Sequence, residues 1–287
     1  YIQTGLLPDL IADIKKLSPK EVIDVRITLG EKDIRSKVLD KLKGFTPRGY
    51  QLDAIRSITD REVEGIKFPR GIIKAATNSG KNLIFAFIYK TFKVPTISIF
   101  NRKEYFETAL KEMSDLLGPE NVGVINSKSQ DWKPFMIVMA QTLNANWDYY
   151  KAKLNRFEAC FVDECDLADN KTYKNIISAL YNTYIRVGAS GTYAASPLAK
   201  FKIRDTNIKA FFSGIVYEIK NTELMEMGHS CEVVIKIHKG NEEIFPDYTS
   251  EYNYGVILNK ERNKRIVKLA GLHVRRKHMP MLVMYKN

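Results

Sequence analysis

Two stretches of this 287-residue chain hold side chains that could do chemistry together. The first is Ile73-Lys74-Ala75-Ala76-Thr77-Asn78-Ser79-Gly80-Lys81-Asn82, an apolar run, then small polar residues, then a helical pattern. A phosphate-binding loop requires that context: backbone N–H groups and the positive end of a helix surround the phosphate, and a lysine reaches its outer oxygens. Thr77, Asn78, Ser79, Gly80, Lys81 and Asn82 are therefore candidate nucleotide contacts. Asn78 stands where glycine is usual, but asparagine tolerates left-handed backbone angles better than other non-glycine residues. Asn82 stands where Ser or Thr normally offers Mg2+ a hydroxyl, and its amide oxygen has a different reach, which bears on turnover more than on binding. The second stretch is Ala159-Cys160-Phe161-Val162-Asp163-Glu164-Cys165-Asp166, an apolar run ending in three acids within four residues. Carboxylates at the C-terminal edge of a parallel sheet open into the same crevice as a phosphate loop. Asp163, with Asn82, is the candidate Mg2+ holder, and Glu164 is the candidate general base for an attacking water. Lys81, Asp163 and Glu164 together predict a nucleoside triphosphatase.

The elements needed to position them are legible as alternating short apolar runs and amphipathic stretches, which predict βα units and a doubly wound α/β fold. Strands are expected at Gly71 to Ala76, Thr96 to Phe100, Val122 to Ile125, Phe135 to Ala140, Ala159 to Val162 and Tyr184 to Ala189. Helices are expected at Lys81 to Phe92, Lys103 to Leu117 and Lys171 to Tyr181, where apolar residues recur three and four apart. Upstream, Leu10 to Leu17 reads as a short helix, and another starts near Tyr50 after a Gly44 to Gly49 loop. Downstream, strand-like runs at Ile215 to Ile219 and Glu232 to Ile237 flank a short helix, and Asn259 to His278 reads as a long helix. That helix holds eight Lys or Arg against one acid between Lys260 and Lys277, so it is either a solvated face or a nucleic-acid contact. The expected organisation is residues 1–43 as the remnant of an N-terminal module, 44–230 as the main α/β domain, and 231–287 as a linker, basic helix and possible first strand of a further domain at Met281 to Tyr285. With Tyr1 in place of a starting Met, both ends read as fragment boundaries.

Composition is that of a globular chain, 45% hydrophobic and 27% charged, which excludes a disordered or collagen-like class. The net charge of +12 favours a polyanionic partner, nucleic acid or a membrane surface. No apolar stretch approaches the ~20 residues of a membrane helix, and no signal peptide opens the chain. Cys160, Cys165 and Cys231 form no CxxC pair, and the four histidines form no HExxH, so a reduced, cytoplasmic protein without a structural metal is expected.

Further motifs carry a family resemblance. Asp163-Glu164-Cys165-Asp166 resembles the DExH/DExD box of superfamily 2 helicases. Phe45-Thr46-Pro47-Arg48-Gly49-Tyr50-Gln51 resembles their adenine-reading Q-motif, Ser98 to Arg102 motif Ia, Met139-Ala140-Gln141-Thr142-Leu143 the "T-Q-T-L" segment of motif Ib, and Gly188-Ala189-Ser190-Gly191-Thr192 motif III. Thr222 to Gly228 and Asn259-Lys260-Glu261-Arg262-Asn263 are similar to segments of the XPB/UvsW branch, and the likeness is strongest to phage UvsW-type, XPB-like DNA helicases. The resemblance covers nearly the whole chain from residue 45. It implies a RecA-like first motor domain with a small N-terminal extension and the start of a second RecA-like domain, whose motifs IV to VI are not in the sequence. It also implies ATP with Mg2+ as cofactors, Gln51 and Arg48 at the adenine, and coupling of hydrolysis to nucleic acid through Asp166, Ser190, Gly191 and Thr192. Contacts to single-stranded or branched DNA, made mainly through the backbone, are implied at Arg102, Gln141 and Thr142. The implied activity is that of an ATP-dependent helicase or translocase in phage recombination and repair, acting by branch migration or annealing, in the cytoplasm of an infected cell. The box ends in Asp166 where the branch usually has His, which bears on that coupling. Three other readings are weighed: an ATP-gated binding module slowed by Asn82, an RNA helicase, and a P-loop kinase, the last disfavoured because it leaves the Q-motif and motif III without a role.

Overall fold

The computed structural model describes residues 4–17, 38–76, 78–193, 202–231 and 245–277. The chain forms two units, Tyr1–Cys231 and Glu232–Asn287.

The first unit opens with a 3-10 turn (Thr4–Leu6) and α1 (Leu7–Leu17). Gly5 is tight against backbone, since a Cβ there would lie 2.2 Å from the Lys209 carbonyl oxygen. Ion pairs Asp9–Lys209 at 3.4 Å and Lys15–Glu64 at 2.7 Å fix α1 to later elements of the same unit. Next come α2 (Gly49–Thr59) and a hairpin of two-residue strands, β1 (Glu62–Val63) and β2 (Ile66–Lys67). Its turn residues Glu64 and Gly65 both have positive φ, +51° and +76°, as the tightest hairpin turns demand. The remaining elements are β3 (Arg70–Ala75), α3 (Lys81–Phe92), β4 (Thr96–Phe100), α4 (Lys103–Leu117), β5 (Val122–Ile125), β6 (Gln130–Asp131) and β7 (Phe135–Met139). They continue with α5 (Ala140–Ala145), α6 (Trp147–Lys151), β8 (Ala159–Asp163), α7 (Lys171–Ala179), β9 (Ile185–Ser190), α8 (Lys202–Phe212), β10 (Ile215–Ile219) and α9 (Asn221–Glu226).

One sheet in the order β10-β3-β9-β8-β4-β7-β5-β6 organises the unit, parallel throughout except for edge strand β6. Its central strands are buried on both faces, which is why they read as unbroken apolar runs. Ile73 and Phe161 face a core shared with α2, α3 and α4, where Phe85 and Phe161 stack with centroids 4.9 Å apart. Ile72 and Val162 face the opposite core, with Ile176 of α7 and Phe212 of α8. The sequence-predicted parallel α/β sheet is present.

Differences lie at element ends. Ala140 opens α5 instead of ending β7, Ser190 closes β9, and α7 stops at Ala179. The strand-like runs at Glu232 to Ile237 and Met281 to Tyr285 lie outside the described residues.

In the second unit, α10 (Tyr248–Ser250) is capped by Asp247, passes into a π-helical turn (Glu251–Ile257), and is followed by α11 (Lys260–Lys277). The Asn259–Asn263 segment builds this junction. Asn259 Oδ1 accepts from Arg262 N at 2.8 Å, Arg262 Nη1 donates to the Val256 carbonyl at 3.2 Å, and Asn263 Nδ2 donates to that of Ile257 at 2.8 Å.

Candidate nucleotide and nucleic-acid site

The sheet order makes β3 the neighbour of β9, and β9 the neighbour of β8. The C-terminal ends of these three strands carry the loop ahead of Lys81, Ser190 and the acid box, so stretches distant in sequence meet at one edge. In the loop after β3, Asn78 (φ +67°) and Gly80 (φ +80°) adopt left-handed angles, and the Ser79 amide donates to the Ala76 carbonyl at 3.2 Å. Asparagine in place of glycine is thus accommodated. Thr77 lies outside the described residues.

α2 holds this loop from the side. Tyr50 Oη and Gln51 Nε2 both donate to the Ser79 carbonyl, at 3.0 and 2.9 Å. Gln51 Oε1 accepts from the Arg48 amide at 3.0 Å, and Arg48 Nη1 approaches Tyr50 Oη at 3.3 Å. A Cβ at Gly80 would sit 2.5 Å from Gln51 Nε2, so a larger residue would strain the angle and push the Gln51 amide off the loop. Gln51 is buried and bound to the loop itself. Tyr50 was not singled out from sequence; its signal was its place beside Gln51 in the same segment.

Lys81, the first residue of α3, projects toward the acids. Its Nζ is 3.7 Å from Asp163 Oδ1 and 4.0 Å from Glu164 Oε1, close enough to pair and too far to hydrogen-bond well. Among the described residues, the buried Asp163 Oδ1 has no hydrogen-bond partner. Burial raises the pKa of the Asp163 and Glu164 carboxyls above their ordinary values, opposed in both by the charge of Lys81. Glu164 has a left-handed backbone (φ +53°), a costly angle for a non-glycine residue and one that turns the chain sharply out of β8. Asn82 Nδ2 donates to Glu112 Oε2 of α4 at 2.8 Å.

Asp166 and motif III are joined directly. Ser190 Oγ donates to Asp166 Oδ1 at 2.9 Å and accepts from the amides of Thr192 and Tyr193 at 3.2 and 3.1 Å. One hydroxyl therefore organises the turn Ser190-Gly191-Thr192 and ties it to the acid box. On the same strand, Gly188 makes room for Cys165, whose Cβ would lie 2.8 Å from an added methyl. Along the sheet edge, Arg102 is exposed beside the Tyr105 ring, and its charge acts on Glu164. Gln141 Nε2 donates to the Asn101 carbonyl at 2.8 Å, bracing the loop after β4, and Thr142 is its half-buried neighbour on α5.

Residues 44–195, which contain every one of these groups, match the family model described as type III restriction enzyme, res subunit. The chain belongs to this res-subunit family. It is 27% identical to the ATP-dependent DNA helicase uvsW of Enterobacteria phage T4, over 98% of this chain and 59% of that protein. The chain thus spans about three-fifths of that relative's length. Two crystal structures of the bacteriophage T4 UvsW helicase share the fold. One has a TM-score of 0.54 at 20% identity, covering 74% of this chain and 78% of that one; the other has 0.54 at 18%, covering 96% and 56%. The resemblance to superfamily 2 and to phage UvsW, and the RecA-like fold it implied, are both borne out. Among the described residues, no helix of this res-subunit relative is long and apolar enough to cross a membrane.

Proposed function

We propose that the chain is the first motor domain of an ATP-dependent DNA helicase or translocase that acts on branched DNA in recombination and repair, by branch migration or annealing. The observation that carries this reading is the placement of Lys81 within 4.0 Å of both Asp163 and Glu164 at the C-terminal edge of a parallel sheet. Lys81 neutralises phosphate charge there, at the N-terminal, positive end of α3 that follows the left-handed turn at Asn78 and Gly80. Glu164 takes the proton of the attacking water. The buried oxygen of Asp163, loosely paired with Lys81 and without a hydrogen bond among the described residues, fits a divalent cation, and Asp163 would hold Mg2+, which supplies charge neutralisation at the phosphates. The Ser190–Asp166 hydrogen bond gives hydrolysis a route to the nucleic-acid edge at Arg102, Gln141 and Thr142. Domain limits near residues 43 and 230, completion of the site by a second RecA-like domain, and action in the cytoplasm of an infected cell belong to the same proposal, and rest on the resemblance.

The bond from Asn82 to Glu112 favours a second reading. With the Asn82 side chain tied to α4 through its amide nitrogen, an ATP-gated DNA-binding module with slow turnover is the alternative. An ATPase assay on the full-length protein with single-stranded DNA, forked DNA and RNA in parallel separates these readings. Stimulation strongest with forked DNA is the expected result. Nucleotide-dependent DNA affinity without turnover selects the module, stimulation by RNA alone selects an RNA helicase, and no response to any nucleic acid removes the motor reading.

A further inference from the structure

The segment that leaves β7 carries an aromatic and cationic surface that the proposed hydrolysis does not use. It starts at the sheet's C-terminal edge with Gln141 and Thr142 on α5, continues through α6, and ends in a 3-10 turn at Ala152–Arg156. Tyr149 is 52% exposed and stands edge-on to buried Tyr150 at 5.0 Å. Its hydroxyl accepts from Gln130 of edge strand β6 at 3.1 Å. Lys153 Nζ lies 3.5 Å from the centroid of the Tyr149 ring and 5.6 Å from that of Trp132. The Arg156 guanidinium is 5.2 Å from the Trp132 ring, which stacks on Phe157 at 19°. Three acids belong to this stretch: Asp148 is exposed on α6, half-buried Glu158 follows Phe157, and Asp131 is taken by Lys133 at 2.7 Å. Lys151, Lys153 and Arg156 therefore leave this surface positive.

An ammonium resting on an exposed ring is held by only about 0.5–1 kcal/mol. A nucleobase stacks on an aromatic face more strongly, and an ammonium displaced from the ring is then placed to meet the adjoining phosphate. We propose that Tyr149 and Trp132, with Lys153 and Arg156, form a second contact for single-stranded nucleic acid, continuous through α5 and α6 with Gln141 and Thr142. This rests on the chain acting on nucleic acid, and adds a stacking platform remote from the nucleotide.

Trp132 and Trp147 are the two tryptophans of the sequence, so Trp147→Phe leaves Trp132 as the only indole reporter. Titration of this chain with oligothymidylate is expected to quench Trp132 emission as binding saturates. Tyr149→Ala should weaken binding about 5- to 150-fold, the range of one lost base–aromatic stack, and Tyr149→Phe should keep the parental affinity because the ring remains. Parental affinity in Tyr149→Ala alongside weakened binding in Arg102→Ala would remove this surface and leave the motor reading intact. Equal losses in the Ala and Phe variants would overturn stacking. Absence of oligonucleotide binding by the unaltered chain would remove both this surface and the reading it rests on.

Discussion

Lys81 Nζ stands 3.7 Å from the Asp163 carboxylate and 4.0 Å from that of Glu164, a loose pairing that stabilises the nucleotide-free fold poorly and leaves the lysine available for phosphate. Losing a charge-assisted contact in a partly desolvated site costs about 1.5–3 kcal/mol, so Lys81→Ala should weaken ATP binding roughly 10- to 150-fold in a calorimetric titration. Unchanged affinity would remove the phosphate-loop assignment. Glu164→Gln keeps size and loses the proton acceptor; it should bind ATP normally and lose about 10²–10⁴ in hydrolysis rate. Burial raises the Glu164 pKa, and a base works only when deprotonated. The rate should therefore fall as pH drops through that raised value, placing the acidic limb of kcat/KM above the ordinary 4.5 of glutamate. The same raised values mean that the nucleotide-free fold holds more protons than the unfolded chain, so its stability declines as pH rises through that window. An acidic limb at or below 4.5 would identify a different base. At Asn82, a threonine hydroxyl restores the usual Mg2+ ligand type, and Asn82→Thr should raise the steady-state ATPase rate. A slower variant would show that the asparagine and its Glu112 bond are adapted to the site.

At the scale of elements, the turn after β9 hangs on one oxygen. Ser190→Ala removes the acceptor of the Thr192 and Tyr193 amides and the donor to Asp166, and Ser190 is buried, so about 1–3 kcal/mol of stability should be lost in denaturant unfolding. If Asp166 transmits the nucleotide state through this bond, the variant should also hydrolyse ATP with little further stimulation by DNA. A variant with full stimulation would place coupling elsewhere. This link also marks the limit of what sequence offers. The strands β4, β5 and β10 and the helices α3 and α4 were legible to the residue, because burial on two faces leaves unbroken apolar runs and burial on one face leaves a helical stripe. Lys81 and the acids were legible because a phosphate loop restricts residue type at each position. Strand ends were less so, since Met139 and Ala140 look alike in composition while the backbone between them changes from extended to helical. The β1–β2 hairpin is too short to show alternation, and α8 lacks a clean apolar stripe in its sequence. Gln51 shows how a motif predicts a residue and not its bond: the resemblance assigns it to the adenine, while in the nucleotide-free fold its amide grips the Ser79 carbonyl of the phosphate loop.

For the whole molecule, a net charge of +12 predicts binding to nucleic acid by counterion release, independent of base sequence. Affinity for single strands falls by a slope of about 0.7 per contacted phosphate in log–log salt plots, so about five contacts imply roughly a 100-fold loss between about 50 and 200 mM salt. Fluorescence anisotropy with oligonucleotides of unrelated sequence checks both parts, and a flat salt response would exclude the electrostatic mode. The same plot decides between the two readings of α11. Its cations are not equivalent: Arg262 closes the junction before the helix, and Lys264 pairs with Glu261 at 3.2 Å. Lys268 is exposed on the same helix and, among the described residues, has no comparable local task to lose. If α11 touches phosphate, Lys268→Gln should reduce the salt slope by about 0.7 and weaken binding at low salt while leaving unfolding unchanged. A slope identical to that of the parent protein would assign this part of α11 to a solvated face and confine the phosphate contacts to other cations.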